Sequence, residues 1–400
     1  MFPLAGVGGG LRLTAVRSLF DVLNSPEGAS FLTSEGVLTD QGQFVSGLQG
    51  PARPRLADLL GAGKGGLVYA AQQVSIDYRE SVLAKLRALD GLPGDPAPSR
   101  VFIWVDTDRS GAHAGPNSIR VMWPLGGREH PVRISPGAFD AVEPRFVPIV
   151  PAQLTSAIDQ LGAYVSQSWL RTSQAAKTRF ERLRALFIEP GAQTLSEFNH
   201  RVACFLLEHH LGIRLPSLML SDLVNRGLIT DQVNVFINRL DEIRPAFNRA
   251  VTELVERDID PQVKPIGDDY LPLHFSCDVD ARRLRLRHVV DGRDHLAVAA
   301  CPCGSSYRFD LGSQQLSIDA LAKTNRWSPD VCLLVFLNDL VSGVIVGKSS
   351  ALYGVVLNRV LGVMETDPVA MFVPEPLRRP MESRGADSLL YGYLTGGARR

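Results

Sequence analysis

Residues 67–109 read LVYAAQQVSIDYRESVLAKLRALDGLPGDPAPSRVFIWVDTDR. Leu67–Ala71 is an apolar run of strand length that leads into Gln72-Gln73. From about Tyr78 to Leu89, the apolar residues Val82, Leu86 and Leu89 fall on one face at helical spacing. A Gly/Pro-rich loop follows, and then Arg100–Val105, whose continuous hydrophobicity predicts a strand buried on both faces. It ends in Asp106-Thr107-Asp108-Arg109. Strand, helix, strand is a βαβ unit, and in such sheets ligands bind beyond the carboxyl ends of the strands. Gln72, Gln73, Asp106 and Asp108 are therefore expected to share one crevice. Asp106-x-Asp108 suits an acid/base pair or a Mg²⁺ site. It equally suits a strand-end turn whose carboxylates cap the next element.

The same grammar returns near the C-terminus. Val331–Phe336 is a short buried run. A second apolar run, Val341–Val346, reaches Gly347-Lys348-Ser349-Ser350 before a helix from Ala351 to about Leu361. A P-loop needs a glycine five positions before its Gly-Lys, and Ser342 stands there. What remains is a helix N-terminus with Lys348, Ser349 and Ser350, a local anion site. Between these two parts, Pro151 to about Asp258 is helical. Leu154, Ile158, Leu161 and Val165 form one stripe, Phe180, Leu183 and Phe187 continue it, and Pro190-Gly191 interrupts it before Leu195–Leu211. The pattern predicts an all-α, partly coiled insertion. His209 and His210 within it diverge by ~100° around a helix and cannot chelate one ion together.

The stretch His274–Gly312, HFSCDVDARRLRLRHVVDGRDHLAVAACPCGSSYRFDLG, holds three of the five cysteines, Cys277, Cys301 and Cys303. His274 stands three residues before the first. Between the two clusters the residues read as a β-hairpin with Asp291-Gly292 as its turn. Ligand clusters at both ends of a hairpin make the layout of a zinc ribbon, and a closed four-ligand set is structural. His274, Cys277, Cys301 and Cys303 are the expected ligands, with His288, His295 or Asp280 able to replace His274. Incidental thiols are the alternative. Arg283, Arg285 and Arg287 alternate and so share one strand face, either a phosphate or RNA contact or a solvated surface.

Lys+Arg and Asp+Glu balance at 42 each over 400 residues, so no global charge draws the chain to nucleic acid or to an anionic membrane. No run approaches the ~18 apolar residues of a membrane span. The start, MFPLAGVGGGLRLTAVRSLF, has neither a basic n-region nor an apolar h-region. An odd number of cysteines with three clustered favours thiols and metal in a reducing cytoplasm over disulfides. The expected setting is cytoplasmic, with a small-molecule substrate and a homodimer as a permitted assembly.

Several stretches resemble the bacillithiol-biosynthesis cysteine-adding enzymes. Gln72-Gln73 followed by a helix with Lys85 is similar to the family's glutamine pair and lysine-bearing helix. Phe102-Ile103-Trp104-Val105-Asp106-Thr107-Asp108 resembles its strand ending in acidic and histidine residues. Ser328-Pro329-Asp330-Val331, continuing to Asn338-Asp339, resembles its Ser-Pro-Asn-Val stretch. Gly347-Lys348-Ser349-Ser350-Ala351-Leu352-Tyr353 resembles its glycine-rich loop and helix. Order and spacing agree over roughly residues 60–110 and 325–375. Leu334 stands where the family has arginine, Asn338 where it has glutamine, and Gly347-Lys348-Ser349-Ser350 replaces Gly-Pro-Gly-Glu.

The resemblance implies an α/β fold with a Rossmann-like core, which the helical insertion and the small β zinc ribbon read from the residues above would split. On that reading residues 1–150 are the first half of the core, 151–260 the helical insertion, 261–312 the ribbon and 313–400 the returning core. It implies a ligase-like enzyme that forms a C–N bond between an amino acid or amine and a small activated substrate. Gln73, Asp106 and Asp108 would be catalytic, while Gln72, Lys348, Ser349 and Ser350 would hold substrate or nucleotide. Structural Zn²⁺ and ATP or ADP would be the cofactors. The departures leave a catalytically inactive zinc-containing binding or scaffold protein as the alternative.

Overall fold

Val68 and Ala70 point to one side of their strand and Leu67 and Tyr69 to the other, and all four are buried. That is what a central strand of a covered parallel sheet requires. The computed structural model describes residues 17–48, 67–92, 99–109, 116–121, 130–337, 341–375 and 388–396. In chain order its strands are β1 (Val37–Leu38), β2 (Leu67–Gln73), β3 (Ser99–Val105), the antiparallel pair β4 and β5 (Ser118–Val121, His130–Arg133), and β6 (Ser217–Met219). Then come β7 (Tyr270–Ser276), β8 (Arg283–Asp291), β9 (Asp294–Ala300), β10 (Ser306–Gly312), β11 (Trp327–Pro329), β12 (Val341–Ile345) and β13 (Ala370–Phe372). Six pair in parallel throughout, in the order β1-β13-β12-β2-β3-β6.

Helices cover both faces of this sheet, as strand alternation dictates. Val68, Ala70, Phe102 and Trp104 share a core with Leu83, Leu86 and Leu89 of the Glu80–Asp90 helix, which joins β2 to β3. Leu67, Tyr69, Val101 and Ile103 share the other with Leu352, Val355 and Val356 of the Lys348–Val363 helix, which joins β12 to β13. The fold is therefore mixed α/β. Among the described residues no helix is long and apolar enough to cross a membrane.

The helical region departs from the expected separate, coiled unit. Leu154, Ile158, Leu161, Phe187 and Phe198 belong to the same core as Val68 and Ala70. Residues 151–260 are not all helical either, because β6 lies among them and pairs with β3. Three residues span less than two strand periods, too little for a readable pattern. The expected hairpin is likewise part of something larger, a five-stranded antiparallel sheet in the order β10-β9-β8-β7-β11. Trp327-Ser328-Pro329, loop-like in sequence, is its edge strand, with Trp327 fully buried. Asp291 does pair with Asp294 across the expected turn, and Gly292 adopts φ +66° there, a conformation glycine takes without strain.

The N-terminal segment packs on the sheet through one close approach. A Cβ on Gly343 of β12 would lie 2.6 Å from Leu48 Cδ2 and 2.7 Å from Phe44 Cζ, and Phe44 is fully buried. Gly343→Ala is therefore expected to cost about 1–3 kcal/mol through overpacking, read as a lower urea midpoint at unchanged m-value.

Candidate functional site

β2 leads away to β3 and β12 leads away to β13 in the opposite direction, so their carboxyl ends meet at a point where the sheet order reverses. Ligands in open α/β sheets bind at such points. A cavity of about 210 Å³ lies there, and Tyr69, Lys85, Asp330, Cys332, Ser350 and Tyr353 are among the residues that line it. Lys85 occupies the apolar stripe of its helix, between Val82 and Leu86. Its Nζ donates to the Ala71 carbonyl and to Gln72 Oε1, both at 2.9 Å. Burial lowers its pKa to about 8. Both partners are neutral oxygens, so the ammonium charge remains available to an anionic ligand. Gly347 caps the Lys348–Val363 helix without any side-chain hydrogen bond to the first turn, and Gly347 and Ser350 both face the cavity. The side chains of Lys348 and Ser349 lie outside the described residues, as do Asn338 and Asp339. Burial pushes the Cys332 thiol well above its usual range, which keeps it protonated. Burial also raises the Asp330 carboxyl, against the pull of Arg283 and Arg285.

The expected single crevice is divided, because neighbouring strand residues point to opposite faces. Gln72 turns to Lys85. Gln73 donates from Nε2 to Asp108 Oδ2 at 2.6 Å, and Asp108 Oδ1 accepts from Arg283 Nη1 at 3.2 Å. Arg283 is the hub of a buried network. Its Nη2 lies 3.0 Å from His274 Nδ1, and its Nε 3.3 Å from Oε1 of the fully buried Glu143. Glu143 also accepts from Ser328 Oγ at 2.6 Å and from Arg145 Nε at 2.7 Å. Asp106 stands apart from both groups. Its carboxylate accepts from the backbone N–H and hydroxyl of Ser221, at 3.0 and 2.5 Å, and so ties the end of β3 to the helix after β6.

His274 is not a metal ligand in this arrangement, a correction to the expected set. An arginine donating to Nδ1 requires a neutral ring protonated at Nε2. Burial, and then Arg283, Arg285 and Arg109, push its pKa to about 2. The reason is geometric, since residues three apart on an extended strand point to opposite faces and sit ~10 Å apart. Cys277 and Asp280, by contrast, lie in a tight turn closed by a hydrogen bond from Ala281 N to Cys277 O at 2.9 Å, with Ala281 at φ +57°. One ligand atom each from Cys277, Asp280, Cys301 and Cys303 gathers within 4.8 Å. Cys277 and Cys303 Sγ are 3.6 Å apart, and Cys301 Sγ is 3.4 Å from both Asp280 oxygens. Ser305 hydrogen bonds draw the Cys303 thiol down to about 7, whereas burial pushes Cys301 up to about 12. This Cys₃Asp cluster can hold a metal ion. His288 and His295, the other candidates, pair with one another at 2.9 Å, and His288 also meets Arg244.

No protein-family model matches the chain, and no curated protein matches it. Residue chemistry and geometry therefore carry the functional reading. Lys85 had a visible signal, a lysine inside an apolar stripe. Glu143 and Arg145 had none, because a single acid between Val142 and Pro144 looks like surface until the fold encloses it.

The electrostatics of these buried groups can be measured in two ways. Burial raises Asp106 from 3.8 to about 6, and the Ser221 bonds offset this only in part. A raised folded-state pKa favours the protonated form, so its contribution is complete below about pH 4 and is lost as pH rises through about 6. The unfolding free energy of the wild type from urea titration should therefore fall across that window relative to Asp106→Asn, by about 3 kcal/mol. Arg283→Met leaves the buried Glu143 with only Arg145 and Ser328 and takes a cation from Asp108, and should cost about 1–3 kcal/mol. The exposed Arg287→Ala should stay within about 0.5 kcal/mol in the same assay.

Proposed function

We propose that the chain is a Rossmann-like enzyme of the ligase type. It joins an amino acid or amine to a small activated substrate, with nucleotide assistance, and carries a structural zinc. The observation that carries this reading is Lys85. It is a buried ammonium with only neutral partners, set in a cavity that a helix N-terminus also faces. A cation and uncapped amides converging on one space favour a phosphate or an activated carboxylate. In the proposed reaction the amine nitrogen attacks the activated carbon. The leaving group departs with the bonding pair toward Lys85 and the helix N-terminus, and Asp330, which borders the cavity and whose carboxyl pKa is raised by burial, takes the amine proton. The similarity to the cysteine-adding enzymes belongs to this proposal, since Lys85, Asp330, Gly347, Ser350 and Tyr353 fall within its quoted motifs and line the cavity.

Zinc is the metal we assign to the Cys₃Asp cluster. Tetrahedral bonds of about 2.3 Å to sulfur and about 2.0 Å to oxygen give edges of about 3.8 Å between sulfurs and about 3.5 Å from sulfur to oxygen. The 3.6 and 3.4 Å separations lie close to those edges. Four ligands close the coordination shell, so the ion would pin the β7–β8 turn to the β9–β10 turn rather than take part in chemistry.

One observation favours the inactive binding protein instead. Leu334 stands where the similar family has arginine, and it is 1% exposed within the apolar core, so that cationic role has no replacement at this position. Calorimetry separates the readings. An enzyme should bind ATP or ADP, lose affinity about tenfold or more in Lys85→Met, and form product from an amino acid. Nucleotide binding without product would leave the binding protein, and no nucleotide binding would remove both the nucleotide and the ligase reading. Native mass spectrometry should find one zinc per chain, absent in Cys301→Ser, which should also melt at a lower temperature.

A further inference from the structure

Only the first of the three alternating arginines on β8 is engaged by the buried network. Arg285 and Arg287, two and four positions further along the same face, line an open trough of about 600 Å³. Lys264, from the segment before β7, lines it with them, and Phe247, Ile266 and the rings of Tyr270 and Tyr353 contribute apolar surface. Asp330 and Tyr353 border both this trough and the Lys85 cavity, so the two spaces adjoin.

Three cations, Lys264, Arg285 and Arg287, face two carboxylates, Asp269 and Asp330, in the trough. Arg287 meets Asp269 at 3.9 Å. Among the described residues no carboxylate lies within ion-pair distance of Lys264 or Arg285. The Arg285 guanidinium rests 5.2 Å over the Tyr270 ring, a cation–π contact that orients the group without neutralising it. Two unpaired cations beside aromatic walls, in a space of small-molecule size, suit a compact organic anion.

We propose that this trough is a second subsite, which binds a carboxylate or phosphate on the substrate that reacts with whatever the Lys85 cavity holds. Lys264 and Arg285 grip the anionic group, and the Tyr270, Tyr353 and Phe247 rings hold the body of the molecule. The reacting end passes Asp330 into the cavity. The assignment of this ligand as the second substrate rests on the ligase-type reading, whereas the anion site itself does not.

Isothermal titration of the full chain, as purified with its metal, tests it with phenyl phosphate, benzoate and the neutral benzyl alcohol. At least one anion should bind with one site per chain and benzyl alcohol should not. The tighter anion tells whether phosphate or carboxylate is the natural group. Lys264→Gln/Arg285→Gln should weaken that binding on the order of tenfold or more while leaving ATP affinity unchanged. Lys85→Met should do the reverse. Both trough residues are exposed, so the double variant should fold, and an unchanged melting temperature would confirm it. If neither anion binds, or if the double variant binds as tightly as the wild type, the subsite is wrong. Anion binding that depends on Lys264 and Arg285, with no ATP binding at all, would sustain the subsite while removing the ligase-type reading.

Discussion

The side chain of Arg283 joins two sheets that have no strand in common. It reaches Asp108 just past the end of β3, Glu143 in the connecting segment, and His274 on the neighbouring strand β7. Arg145 completes a set of two arginines and two carboxylates. Three of these charges, Arg283, Glu143 and Arg145, are buried and Asp108 is partly exposed. Burying charges is costly, and the cost is offset only when the set is complete and its geometry is held. Such a network tolerates little sliding between its elements. It thereby fixes the angle at which the antiparallel sheet stands on the parallel one. Asp330 comes directly after β11 and Arg285 lies on β8, so the walls of the cavity and of the trough inherit their positions from this junction.

The periodic parts of the fold were legible in the sequence. Leu67–Gln73, the helix with Val82, Leu86 and Leu89, and Ser99–Val105 each span at least two periods, and the structure shows each close to its expected bounds. Three-residue strands were not legible. β6 and β11 take their identity from the partners they pair with, and no local pattern announces that. His274 illustrates a different failure. Counting residues between ligands assumes a turn, and position 274 lies on a strand, where each step reverses the side chain. Asp280 sits at the same separation on the other side of Cys277, and there the chain does turn.

The two halves of the candidate site differ in what kind of information specifies them. The Lys85 cavity comes from topology, because two strands that diverge must leave space at their ends. The cysteine cluster comes from local turns, with Ala281 and Gly304 both at positive φ. A third kind belongs to the arginines of β8. Strand alternation places them on one face, but the charged groups each one meets there make Arg283 a buried hub and leave Arg285 open.

The strand order also bears on how the chain reaches this state. β12, made late in synthesis, lies between β2 and β13, and β1 pairs only with β13. While the chain emerges from the ribosome, β2, β3 and β6 can associate, but β2 keeps one open edge until more than 260 further residues have been added. Contacts of such long range close slowly and leave apolar strand edges exposed in the meantime. Nascent chains stalled before residue 341 should accordingly be the species that chaperones hold, and the released chain would complete its sheet by inserting its late strands between early ones.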